Sequence, residues 1–154
     1  MQATPSRRAL SLVELVVVVA VLAIVIAVGI VVVGRGSTYR DAAALARAIS
    51  ATRWLAVTTG APSALVARGD ALYLSVGAPL RCDAPRGGGE PAWNPTGPVS
   101  LAWPAAGLAF GAHGRPLRCD GSAVGNATIS LTGRDGSSAA VIVASLGRVR
   151  WERR

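Results

Sequence analysis

The sequence predicts an α+β fold, a long N-terminal helix followed by a head of antiparallel β-sheet. Three observations predict it. Residues 15–33 contain no charged side chain, and residues 37–58 carry Ala42, Leu45, Ala46, Ile49 and Ala56 at helical spacing. Beyond Gly60-Ala61-Pro62 the apolar pattern moves toward period two, in short runs separated by glycine-rich turns.

The charge-free run sets the first element. As a helix, residues 15–33 rise about 28 Å, enough for the hydrocarbon core of a bilayer. The hydrophobic fraction of 51% and the mean hydropathy of +0.45 owe their excess almost wholly to residues 10–33. A cleavable secretory signal has a shorter apolar region, about 7 to 15 residues, ending in small residues, and Gly34-Arg35-Gly36 matches that poorly. The expected organisation is a basic leader at 1–9, the membrane half of the helix at 10–34, and a globular part at 35–154. Within the globular part, 35–59 is the amphipathic half of the helix and 60–154 a β-rich head. Arg7 and Arg8 stay cytoplasmic under the positive-inside rule, so a single-pass inner-membrane protein with its head in the periplasm is expected.

Glu14 is the odd residue of the first turns. An unpaired carboxylate in an apolar helix costs on the order of 3 kcal/mol on insertion scales. Charge placement alone is also met by a carboxylate at the headgroup level, so its neighbours decide. The string Ala9-Leu10-Ser11-Leu12-Val13-Glu14-Leu15-Val16-Val17-Val18 resembles the class III signal of type IV pilins and type II secretion pseudopilins. The resemblance implies a cut by prepilin peptidase between Ala9 and Leu10, with Leu10 then N-methylated. It also gives Glu14 the family's assembly role, pairing with the N-terminal amine of a neighbouring subunit as the helix passes from membrane to filament. A buried pair of that kind sets register more than it adds stability. The family prefers glycine before the cut and phenylalanine after it, where this chain has Ala9 and Leu10; alanine is small enough for cleavage to be expected.

Residues 37–58 continue the helix with one apolar stripe, and Arg40 and Arg47 fall on another face, solvated or touching neighbouring subunits. In pilins such a helix lays its stripe on an antiparallel sheet. The runs 63–68 and 71–76, joined by Gly69-Asp70, predict a hairpin. Residues 77–107 hold most of the prolines together with Gly87-Gly88-Gly89 and are expected as a long irregular excursion tethered by Cys82. Those glycines lack the lysine and hydroxyl of a phosphate loop. Trp93 and Trp103 in the excursion are candidates for a stacking surface, but the edge of a core is the preferred reading. Strand-like runs resume at 108–110, 127–132, 139–144 and 148–151, the last three forming a meander.

Cys82 and Cys119 are the two cysteines, and in an exported domain they are expected to form a disulfide. No metal site is predicted, because His113 is the single histidine and no CxxC spacing occurs. No cofactor motif occurs, and no serine or carboxylate pair has an identifiable partner base, so no catalytic activity is expected.

The net charge is +8, carried by 16 basic residues that are all arginine. A guanidinium grips phosphate with two parallel hydrogen bonds, although a coding bias in the source also removes lysine. The densest cluster is Gly147-Arg148-Val149-Arg150-Trp151-Glu152-Arg153-Arg154. On a strand Arg148 and Arg150 share one face about 7 Å apart, near the phosphate spacing of a nucleic-acid strand, while Val149 and Trp151 take the other. Arg153 and Arg154 are expected to extend the patch, and Gly147 to permit a tight turn before it.

The order of leader, long helix, loop and late strands resembles the GspH/FimT family of pilin-like proteins across nearly the whole chain. Two segments carry that likeness in the head. Leu108-Ala109-Phe110-Gly111-Ala112-His113-Gly114 is similar to the family's phenylalanine and glycine turn, and residues 141–150 to its closing hairpin. The Gly-Arg-x-Arg string resembles the motif that binds DNA in the DNA-uptake members of the FimT group. The resemblance implies a pilin-like fold and a minor pilin that binds double-stranded DNA without sequence preference during natural transformation, through Gly147, Arg148, Arg150, Arg153 and Arg154. Two alternatives stand beside it: a GspH-like minor pseudopilin of a type II secretion system, and an uncleaved periplasmic anchor protein. Implied partners are prepilin peptidase, other pilin or pseudopilin subunits and the inner membrane, with a pilus or pseudopilus filament as the final location.

Overall fold

The computed structural model describes residues 12–77, 89–104 and 107–154, and along 28–36 the backbone alone. The chain divides into two compact units, Met1–Val33 and Gly34–Arg154. The first element is helix α1, Leu12–Thr59. Its described side chains at 12–27 are all exposed, including Leu12, Leu22 and Ile24.

In the second unit the helix has one buried stripe. Ala42, Leu45, Ala46, Ile49 and Ala56 are all buried, the set that helical spacing predicts. They meet side chains from two four-stranded antiparallel sheets. Strands β1 (Ser63–Arg68), β2 (Ala71–Val76), β4 (Leu108–Phe110) and β5 (Pro116–Leu117) form one sheet in the order β2-β1-β4-β5. Strands β3 (Val99–Ala102), β6 (Ala127–Gly133), β7 (Ser138–Val143) and β8 (Val149–Arg153) form the other in the order β3-β6-β7-β8. Leu65, Leu72, Leu108 and Phe110 of the first sheet and Ile129, Leu131, Val141 and Val143 of the second join the helix in one core. Burying each such side chain stabilises the fold by about 1.5–3 kcal/mol. The result is the α+β arrangement of a pilin-like fold.

Local chemistry explains the turns. Gly69 has φ +60° and precedes Asp70 at negative φ, the pattern of a type II′ hairpin, and it pairs β1 with β2 from Arg68↔Ala71 to Ser63↔Val76. Between β7 and β8, Gly147 at φ +81° donates its N–H to the Ala144 carbonyl at 2.7 Å, and Ala144 N–H donates to the Arg148 carbonyl at 2.9 Å.

Of the excursion expected at 77–107, the described stretch 89–104 is more ordered than its prolines suggest. It contains β3, which pairs with β6 from Val99↔Gly133 to Ala102↔Ser130, and Trp93, which bridges to Leu72. Trp93 is a core residue, and its indole Nε1–H donates to the Asp41 carbonyl at 3.1 Å. The buried Asp41 carboxylate fastens the same segment to α1 by accepting from the Thr96 N–H at 3.0 Å and hydroxyl at 2.7 Å. Trp103 is half-buried against the core. The short strand β5 was not expected either; with only two residues beginning at a proline, it has no periodicity to read.

Candidate functional site

The C-terminal arginines lie on and beside β8, at an edge of the second sheet. Register assigns the faces. Val149 and Trp151 stand opposite Val143 and Val141, whose side chains are buried in the core, so they point inward. Arg150 stands opposite Ile142, on the outer face. Arg148 precedes the strand, and its carbonyl accepts from Ala144, which continues the alternation and puts its side chain on the face of Arg150. Both guanidinium groups are exposed, about 7 Å apart along the chain.

The other two arginines of the cluster part from this pair. Arg153 stands opposite Ala139 and so takes the inner face, where its guanidinium carbon lies 4.7 Å from the centroid of the Tyr39 ring on α1. That cation–π contact ties the end of β8 to the helix. Arg154 Nε lies 3.9 Å from a carboxylate oxygen of Glu152, a surface pair worth at most about 1 kcal/mol. Glu152 shares the outer face with Arg150, so the patch is less positive than the sequence string alone implies. The structure thus brings Arg148 and Arg150 together and turns Arg153 away from them.

Gly147 does more than turn. It is buried, and a Cβ at this position would collide with the Gly114 carbonyl oxygen and fall 2.7 Å from Nε of Arg53. Arg53 in turn donates that Nε–H to the same Gly114 carbonyl at 3.0 Å. The phenylalanine and glycine turn, the closing hairpin and α1 therefore meet at one joint. Arg53 is a residue that sequence reasoning missed. No local pattern marks it, since its partner is far along the chain.

Cys119 is disulfide-bonded, while Cys82 lies outside the described residues. Beside Cys119, Asp120 has its carboxyl held below the usual range by hydrogen bonds from the Ser122 hydroxyl and N–H, the latter at 2.8 Å. His113 is an exposed turn residue. Among the described residues no group of three or more histidine, cysteine or carboxylate side chains is placed to hold a metal.

Ala9 and Leu10, the expected cleavage pair, lie outside the described residues. Glu14 lies near the start of the described part of α1, with its side chain exposed. Among the described residues no helix is long and apolar enough to cross a membrane. The side chains described there end at residue 27, whereas the charge-free run in the sequence reaches 33.

Residues 4–30 match the prokaryotic N-terminal methylation motif. The chain carries a type IV prepilin-like signal. That match covers Ala9, Leu10 and Glu14, and it supports a pilin-like or pseudopilin subunit that is processed by prepilin peptidase, anchored in the inner membrane and assembled with other pilin subunits. No curated protein and no solved structure matches the chain.

Proposed function

We propose that the protein is a minor pilin-like subunit of a type IV pilus, of the GspH/FimT kind, that binds DNA without sequence preference during DNA uptake. The observation that carries this reading is the exposed pair Arg148 and Arg150, on the outer face of an edge strand, at the distance of neighbouring phosphates. Arg154 adds charge at the end of the patch. Arg153 serves by fixing β8 on Tyr39, and Gly147 by fixing the turn that precedes the pair. Contacts of this type neutralise phosphates and release counterions, so affinity falls steeply with salt and carries no base readout. The reading gives the chain no catalytic role, and it pairs Cys82 with Cys119, which a mobility shift between reduced and unreduced electrophoresis tests.

The test of DNA binding is a gel shift with the purified full chain in detergent. Changing Arg148 and Arg150 together to alanine removes two phosphate contacts and is expected to weaken binding at least tenfold and to flatten the salt dependence by about two units of log–log slope. Unchanged affinity would sink the proposal. The arginines would then be read as subunit-facing residues of a type II secretion pseudopilin.

A further inference from the structure

The edge of a β-sheet carries a row of unpaired N–H and C=O groups that invites another chain. The two described sheets end in β2, β5, β3 and β8, and the chain itself manages the first three. At β2, the Leu72 N–H donates to the Trp93 carbonyl at 2.8 Å and the Trp93 N–H donates back to the Leu72 carbonyl at 3.2 Å. At β5, Leu117 is bridged to Ala123. Strand β3 is four residues long and lies between Pro98 and Pro104, which have no N–H to continue a ladder. Strand β8 differs. Its five residues include no proline, no described strand lies beyond it, and Arg150 through Arg153 are all exposed.

Register fixes what this edge presents. The Ala144 N–H donates to the Arg148 carbonyl and the Arg154 N–H to the Ser138 carbonyl, so Arg148, Arg150, Glu152 and Arg154 bond to the β7 side. The N–H and C=O groups of Val149, Trp151 and Arg153 therefore point to the open side. An antiparallel strand laid there exchanges two hydrogen bonds with Trp151, and its residue opposite Trp151 lies on the inner face. Its residues opposite Arg148 and Arg150 lie on the outer face, at the closer spacing of pairs without hydrogen bonds. The inner face has room for such a strand. Trp151 stands there opposite the core residue Val141 yet is 38% exposed, so the apolar side of the sheet runs out to its edge uncovered.

Arg148 and Arg150 select the occupant. Like charges directly across two strands are unfavourable and opposite charges favourable. The arginines thus close the edge to basic strands and open it to a strand with carboxylates two residues apart and an apolar residue between them. The chain's eight acids never stand two residues apart, so no segment of a second copy offers that pattern. We propose that β8 binds an extended acidic segment of a partner protein by antiparallel strand addition. Two alternate carboxylates of the segment meet Arg148 and Arg150, and its apolar side chains cover Val149 and Trp151. Backbone hydrogen bonds hold the segment and the arginines read its charge. The inference goes beyond DNA binding and does not need it; where both occur, the segment and DNA compete for one arginine pair.

The experiment measures fluorescence anisotropy of a short labelled peptide of alternating valine and glutamate with the full chain in detergent micelles. Saturable binding is expected. In the added strand the valine amides face β8 and the glutamate amides face away. Methylating the valine amide nitrogens is therefore expected to weaken binding about tenfold or more, and methylating the glutamate ones less than about twofold. Arg148→Glu combined with Arg150→Glu is expected to weaken binding of this peptide about tenfold and to create binding of its valine and lysine counterpart. Both side chains are exposed, so this variant is expected to melt as the wild type does. Absence of saturable binding by the wild type overturns the inference. Equal loss from the two methylations also overturns it, since the arginines then attract anions without the edge; the DNA-binding reading is untouched by that result. A wild-type dimer in sedimentation that the peptide does not dissociate overturns it as well, because a second copy then holds the edge. Strand addition in a chain that shows no gel shift with DNA leaves this inference standing and removes the DNA-binding reading.

Discussion

The two parts of α1 use the same backbone for opposite ends. At 12–27 every described side chain is exposed, though nearly all are apolar, whereas at 38–56 the helix buries one stripe completely and leaves its arginines in solvent. The difference lies in periodicity. A helix that is apolar all round has no face its own chain can satisfy, and it needs lipid or other helices about it. A helix with one apolar stripe is satisfied by the two sheets of its own head. The methylation motif falls on the first part and the candidate arginine site is braced against the second, so assembly and binding are assigned to different stretches of one element.

The largest effect expected from this division belongs to Glu14. On the proposed pairing of Glu14 with the N-terminal amine of a neighbouring subunit, Glu14→Ala leaves that amine uncompensated, and filament incorporation is expected to fall more than a hundredfold, about 3 kcal/mol or more, while the head melts unchanged. Immunoblots of sheared filaments against membranes measure the first quantity, and calorimetry the second. Normal incorporation of the variant would break the assignment of assembly to the first part of α1.

A smaller effect sharpens the comparison from the other side. Leu45→Ala, in the fully buried stripe, is expected to cost about 3 kcal/mol of head stability, whereas Val18→Ala, a similar but smaller truncation in the exposed part, is expected to leave head melting within about 0.5 kcal/mol. Denaturant titration followed by head fluorescence reads both. Gly147→Ala comes next, at about 2 kcal/mol, because alanine at φ +81° is strained and its Cβ would push apart Gly114 and Arg53. A melting temperature equal to the wild type's would mean that the joint between the two turns and α1 does not hold β8 in place.

Much of this arrangement was legible in the residues. The stripe of α1 was readable because helical spacing repeats over several turns, and the β1–β2 hairpin because Gly69-Asp70 is a turn signal between two alternating runs. Strand β3 was not, since its four residues lie among prolines and its strand character comes from pairing with β6 far along the chain. The alternation of β8 placed Arg148 and Arg150 correctly on one face. It could not show that Arg153 would be drawn to Tyr39, or that Gly147 would be pressed against Gly114, because both depend on residues distant in sequence.

The central claim is that this chain is a processed, filament-forming pilin-like subunit and not a passive anchor. Mass spectrometry of the N-terminal peptide from the native protein tests it most directly. The expected peptide begins at Leu10 and carries one added methyl group on its amine; a native protein that retains Met1 through Ala9, with no species beginning at Leu10, would contradict the claim.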